Sequence, residues 1–384
     1  MNLNSLANQY KNELLDNVLP FWLDKSPDKK YGGYFSCLTR EGNVYDTDKF
    51  IWLQGREVWL FSMLYNKVEK RREWLDFAIM GGDFLKKYCH DGNFNWYFSV
   101  TRDGRPLVQP YNIFSYTFAA MAFAQLSLAT GSREYADIAE RTFKIILEKE
   151  KNPKGIWNKA FPGTRDLQNF ALPMILSNLS LQMEHLLEKK FLDQTIENCI
   201  HTIMDLFYRP ELGIIVENIT PDGKLCNSFE GRCVNPGHSI EAMWFIMDLG
   251  KRLNRPELIV KANEVALNML EYGWDKKYGG IFYFKDRLGY PLQQLEWDQK
   301  LWWVHIESLI TMAKGYKLTG NETSKKWFET IHEYTWDSFK DKEYPEWFGY
   351  LNRRGEVLLS LKGGKWKGCF HIPRGMYEIW KTLE

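Results

Sequence analysis

The chain has 384 residues, with 50 Lys and Arg against 49 Asp and Glu. So even a balance gives no electrostatic case for nucleic acid or an anionic membrane surface as a partner. Aromatic residues make up 16% of the chain and include 16 Trp, a content that suits either a large aromatic core or a cleft that stacks rings on sugar faces.

Residues 1–19 read as an amphipathic helix carrying Lys11, Glu13 and Asp16, not as a basic-then-apolar leader. No run of about 18 apolar residues predicts a membrane span. The six cysteines are scattered, and Cys226 and Cys233 are the nearest pair. That spacing indicates neither a zinc site nor a disulfide framework, so a cytoplasmic protein is expected. No linker or low-complexity tract divides the chain, and a single domain over 1–384 is predicted.

The chain then runs as a weak repeat: a Gly- or aromatic-rich short strand, a polar turn, a second short strand and an aromatic-rich helix. The first unit is Tyr31-Gly32-Gly33-Tyr34-Phe35, a turn at Arg40-Glu41-Gly42 and a helix through Trp52, Arg56 and Trp59. The second is 93–98, a turn at Arg102-Asp103-Gly104 and a helix over 113–129. Gly155-Ile156-Trp157 opens the third, whose helix surrounds Met174 and Asn178. The fourth runs from 212–215 through Pro221-Asp222-Gly223 to a helix after Pro236-Gly237. Tyr278-Gly279-Gly280-Ile281-Phe282 opens the fifth, with a helix over 301–316. The sixth is Trp347-Phe348-Gly349-Tyr350, Arg353-Arg354-Gly355 and a helix with Pro373 at its first position. Further helical patterns lie between, at 74–88, 135–150, 191–208, 256–272 and 324–339. Units recurring every ~55 to 70 residues mark a repeat architecture. Six helix pairs closing on themselves make an all-α (α/α)6 barrel with short β-hairpins at one mouth, where the site is expected. A solenoid of the same units is the alternative.

Ionisable residues cluster where the hairpins hand over to these helices. His238 follows the Pro-Gly turn at a helix start, where the positive end of the macrodipole disfavours imidazolium and leaves a proton acceptor. Glu241 follows in the same first turn. Arg56 shares an aromatic face with Trp52 and Trp59, and a buried guanidinium there needs an anion or carbonyls. Trp303 and Glu307 are four apart on one helical face, a pairing that suits a sugar or a capped core Trp. His371 and Arg374 flank Pro373. The histidines and glutamates lack metal-motif spacing, so no metal is assigned. Two histidines, an arginine and two carboxylates fit proton transfer at a carbon next to a carbonyl. The rival is a glycoside hydrolase using Glu241 and Glu307.

At Trp52-Leu53-Gln54-Gly55-Arg56-Glu57-Val58-Trp59, Pro236-Gly237-His238-Ser239-Ile240-Glu241, Lys300-Leu301-Trp302-Trp303-Val304-His305-Ile306-Glu307 and Gly368-Cys369-Phe370-His371-Ile372-Pro373-Arg374, the sequence resembles the N-acylglucosamine 2-epimerase family. The likeness spans nearly the whole chain. It implies an (α/α)6 barrel that interconverts N-acetylglucosamine and N-acetylmannosamine. Relatives that epimerise cellobiose or isomerise mannose are the alternatives. His238 and His371 would be the two acid/base groups, and Arg56 would steady the enediolate. Glu241 and Glu307 would orient hydroxyls or imidazoles. Phe114 and Trp303 would line the sugar, His305 would assist ring opening, and Trp244 and Arg374 would complete the substrate-binding set. Cellobiose-type relatives tend to carry a histidine where this chain has Asn178, and an amide there favours an acylamino group. The resemblance further implies a homodimer in amino-sugar and sialic acid metabolism. It implies no cofactor for the chemistry and leaves ATP open as an allosteric activator.

Overall fold

The computed structural model describes residues 2–384. Its principal helices are α1 (3–25, with a π-type stretch at Glu13–Val18), α2 (Ile51–Lys67), α3 (Arg72–Tyr88), α4 (Ile113–Thr130), α5 (Arg133–Glu148), α6 (Ala171–Gln182), α7 (189–207), α8 (Pro236–Leu253), α9 (Pro256–Gly273), α10 (Trp302–Thr319), α11 (Glu322–Ser338) and α12 (His371–Leu383). The even-numbered helices are buried almost all round and form an inner ring. The odd-numbered ones are amphipathic and pack outside it, as half-apolar helices must. This is the (α/α)6 barrel.

Closure depends on α1, which packs along α12. The Tyr10 hydroxyl lies 2.8 Å from His332 Nδ1, Trp22 Nε1 donates to Glu346 at 2.7 Å and Trp347 Nε1 donates to Glu13 at 3.0 Å. First and last units are therefore joined, and the solenoid is excluded. Helix α4 has a mean hydropathy of 1.3 and the length to cross a membrane, but 78% of it is buried inside the ring. Its apolar surface is used for packing. Gly55 lets α2 approach α4, since a Cβ there would lie 2.6 Å from the Phe118 carbonyl oxygen.

The hairpins gather at the N-terminal ends of the inner helices but are shorter than the sequence predicts. Strands run two or three residues, as in Lys49–Phe50 with Ser99–Val100 and Pro106–Val108. The segments at 31–35 and 278–282 contribute only isolated bridges, Pro27 with Tyr34 and Trp274 with Ile281. The physical reason is the left-handed backbone of Gly32 and Gly33 (φ +80° and +69°), which breaks a strand and turns the Gly32 carbonyl onto Lys49 Nζ at 2.6 Å. Residues 155–157 form a 3-10 turn.

A repeated charge device locks these hairpins together. Asp28 takes Lys49 (3.0 Å) and Arg102 (2.9 Å), Asp275 takes Lys300 (3.2 Å) and Arg353 (2.9 Å), and Asp341 takes Lys362 (2.7 Å) and Arg40 (2.7 Å). In each triad the arginine comes from the turn of the next unit, and Arg40 to Asp341 carries the pattern across the ring closure. Lys362 and Asp341 are buried, so removing one charge strands the other. Asp341→Ala is expected to cost about 3–5 kcal/mol, against under ~1 kcal/mol for the exposed pair partner Asp76→Ala. Urea denaturation of the two variants checks this.

Candidate active site

Helix α8 starts at Pro236, so Pro-Gly forms its first two residues and not a preceding turn. Asn235 is the cap, and its side chain accepts from the His238 backbone N–H at 3.1 Å. Gly237 serves close approach: a Cβ would lie 2.7 Å from the Trp303 ring and from Val304 on α10. Glu241 therefore sits in the second turn, not the first.

His238 has a partner that the sequence reading missed. Glu217, between the short strands Ile214–Ile215 and Asn218–Ile219, places Oε1 3.0 Å from His238 Nδ1. Its own backbone carbonyl accepts from the Phe170 N–H at 2.9 Å, which pins it to the neighbouring unit. A charged residue directly after the buried run Ile214-Ile215-Val216 was the available signal. Burial pushes the His238 pKa down, but the charge and hydrogen bond of Glu217, with the charge of Glu241, carry it above the ordinary value. The direction is opposite to the one expected from the helix start alone. The macrodipole is worth about 0.3–1 kcal/mol, less than the about 1.5–3 kcal/mol of a hydrogen bond to a charged group.

Helix α12 starts at His371, with Pro373 third and not first. His371 Nδ1 lies 2.7 Å from Glu307 Oε1. Burial, then the charges of Arg56 and Arg374, hold its pKa well below the ordinary histidine value. The Trp303 ring lies beside both imidazoles, its centre 5.2 Å from that of His238 and 5.9 Å from that of His371.

One layer deeper, Arg374 Nη2 lies 2.5 Å from Glu241 Oε1 and 2.5 Å from Glu307 Oε1. Trp244 Nε1 donates to Glu307 Oε2 at 3.0 Å. Burial lifts the Glu307 pKa against the pull of Arg374. Two expectations change here. Arg374 through Nη2 and Trp244 through Nε1 hold the carboxylates in place. The two glutamates converge on one guanidinium and do not flank a cleft, so a hydrolase pair is not formed. The oxygens of Glu241 and Glu307 and a nitrogen of His371 lie within 4.8 Å of one another, close enough for a metal ion. Any such ion would have to displace the buried Arg374 from both carboxylates.

Arg56 differs from Arg374. Its guanidinium lies over Phe118 (4.1 Å), Trp52 (4.4 Å) and Phe370 (4.7 Å). Among the described residues no hydrogen bond or ion pair reaches it, and Nε is buried without a partner. Burial, then the charge of Arg374, push its pKa down to about 9, so it remains a cation at neutral pH. Phe114 is one turn before Phe118 on α4, half-buried.

One further expectation is corrected. His305 is fully buried, with Nε2 accepting from the Ile281 N–H at 3.0 Å and Nδ1 bonded to the Leu301 carbonyl at 2.7 Å. Both nitrogens are used, and burial pushes its pKa down to about 3. It is a structural histidine, not a ring-opening acid. Asn178 lines a cavity of about 550 Å3 toward the C-terminal ends of the inner helices, together with Trp244 and Arg374 from the deeper layer of the site and Lys67 and Lys381 from the last turns of their helices. Its amide makes no hydrogen bond to either histidine.

A sequence profile of the family described as N-acylglucosamine 2-epimerase (GlcNAc 2-epimerase) matches residues 33–373. N-acylglucosamine 2-epimerase of Mus musculus is 39% identical over 374 residues, covering 94% of this chain and 88% of its own. Cellobiose 2-epimerase of Dictyoglomus turgidum is 24% identical, with 100% of both chains covered. The solved structure of cellobiose 2-epimerase from Bacillus thermoamylovorans superposes with a TM-score of 0.85 at 21% identity, covering 98% of this chain and 99% of that one.

Proposed function

The chain belongs to the N-acylglucosamine 2-epimerase family, and from that premise we propose that it interconverts N-acetyl-D-glucosamine and N-acetyl-D-mannosamine. The observation that carries the reading is the pair of imidazoles beside Trp303, each tied through Nδ1 to a carboxylate. With Nδ1 so engaged, each Nε2 is left for substrate. In the open-chain aldehyde, one Nε2 takes the proton from C2. The bond electrons move into an enediolate whose O1 charge is met by the unpaired guanidinium of Arg56. The other imidazole returns a proton to the opposite face of C2, which inverts the configuration. The chemistry is redox-neutral and the protein supplies both proton carriers, so no cofactor is needed for it.

The choice of an N-acyl sugar over cellobiose or mannose is supported by the 39% identity to the N-acylglucosamine enzyme against 24% to a cellobiose one. Proton NMR with N-acetylmannosamine in deuterium oxide tests it. N-acetylglucosamine carrying deuterium at C2 is the expected product, and turnover of cellobiose or mannose alone would refute the substrate. A second run with ATP reads any activation. A cytoplasmic homodimer in amino-sugar and sialic acid metabolism completes the reading. It rests on the family resemblance, and sedimentation equilibrium of the purified protein tests the dimer.

A further inference from the structure

The two histidines are backed by carboxylates of different availability. Glu307 is shared: Oε1 serves both His371 and Arg374, and Oε2 accepts from Trp244. Its charge is spent on a guanidinium before the imidazole draws on it. Glu217 is unshared, since among the described residues its carboxylate has His238 as its one hydrogen-bond partner. The wider surroundings run the same way. His238 faces Glu217 from the hairpin and Glu241 from its own helix, with His371 within electrostatic reach. His371 faces Arg56 from α2 and Arg374 from its own helix, against Glu241. Tyr283 and Cys233, which lie near Glu217, are both held neutral by burial. Among the described residues no other cationic group pairs with the Glu217 carboxylate.

We propose that Glu217 is a positioning residue that makes His238 the proton donor of the resting enzyme, leaving His371 as the proton acceptor. The inference rests on the two-histidine reading above and adds its starting protonation state. Glu217 accepts the Nδ1 proton of His238 and fixes the ring, so that a second proton sits on Nε2, the nitrogen left for substrate. In the first half of turnover, His371 Nε2 removes the C2 proton and the C2–H electrons form the enediolate. In the second, the His238 Nε2–H bond breaks and its proton joins C2 from the other side. The enzyme then holds its proton on His371, and exchange with water restores the resting form. The resting enzyme is thereby loaded for the epimer whose C2 hydrogen faces His371.

The test needs no assumption about the sugar. Imidazole resonances of the full-length enzyme are titrated by NMR, with the His238 signal assigned by its loss in His238→Asn. In wild type, His238 is expected to titrate above about 6.5. In Glu217→Gln its titration should fall by about one pH unit or more, the usual effect of an adjacent opposite charge. In assays of the loaded direction, the alkaline limb of kcat should move down with it, because His238 must carry its proton to donate. Glu217→Asp keeps the charge and should restore most of the limb. Coincident His238 titrations in wild type and Glu217→Gln would overturn the proposal, as would a loss of kcat uniform across pH. An enzyme inactive on every sugar would still give the titration, so failure of the functional reading is told apart from failure of this one.

Discussion

His371→Asn and His238→Asn should each lower kcat for epimerisation by about 10²–10⁴-fold, the usual contribution of a positioned acid or base. The more telling result is expected in deuterium oxide without net turnover. Each variant keeps one imidazole beside Trp303 with its Nδ1 still anchored, on Glu217 in one case and Glu307 in the other. That imidazole can still exchange the C2 proton of the epimer that presents it on the correct face. One variant should therefore wash deuterium into one N-acetylhexosamine, and the second variant into the other. A single base serving both faces predicts exchange of both sugars in one variant and of neither in the other, and that outcome would overturn the two-histidine mechanism. Asparagine is the replacement of choice because it keeps a polar group near Glu307 and Glu217. Leaving either carboxylate buried without a donor would confound catalysis with stability.

Arg56→Met should separate activity from stability in a way few active-site changes do. Loss of this buried, unpaired cation beside the histidines is expected to lower kcat by about 10²–10³-fold, the cost of deleting an oxyanion donor. The guanidinium lies among Trp52, Phe118 and Phe370 with no protein acceptor. Its burial is a cost to the fold that only substrate relieves. Methionine fills similar space without the charge, so the melting temperature should hold or rise while kcat falls. Arg374→Met is the contrast, because there the charge neutralises Glu241 and Glu307. That change should cost about 3–5 kcal/mol of stability along with activity. Thermal melts and steady-state kinetics on the two variants check both halves, and a large drop in melting temperature for Arg56→Met would show a structural role.

Much of the architecture is legible without a structure because it is set by local physics. Helix periodicity, caps and the Gly-rich turns act over a few residues, and they place the inner helices to within a few positions. His238 and His371 stand at helix starts for the same reason. Pro373 was misplaced by two residues because proline tolerates any position of a first turn, where backbone N–H groups lack partners in any case. The strands expected around Gly32 and Gly279 shrink to isolated bridges, because apolar alternation looks the same whether or not the glycines turn left-handed.

Charge states were not legible, because they depend on which groups meet across long separations. Glu217 and His238 are 21 residues apart, Glu307 and His371 64, and Arg374 and Glu241 133. Only the closed ring reveals that Arg374 is spent on two carboxylates while Arg56 is free. His305 carries the same imidazole as His371 and lies two residues from Glu307, yet one has both nitrogens sealed against backbone groups and the other has only Nδ1 engaged. The order of residue types along the chain thus determined the barrel, the ring of helix starts and the kinds of chemistry at hand. Burial and partner geometry, which exist only once the ring has closed, decided which of those groups are free to carry a proton.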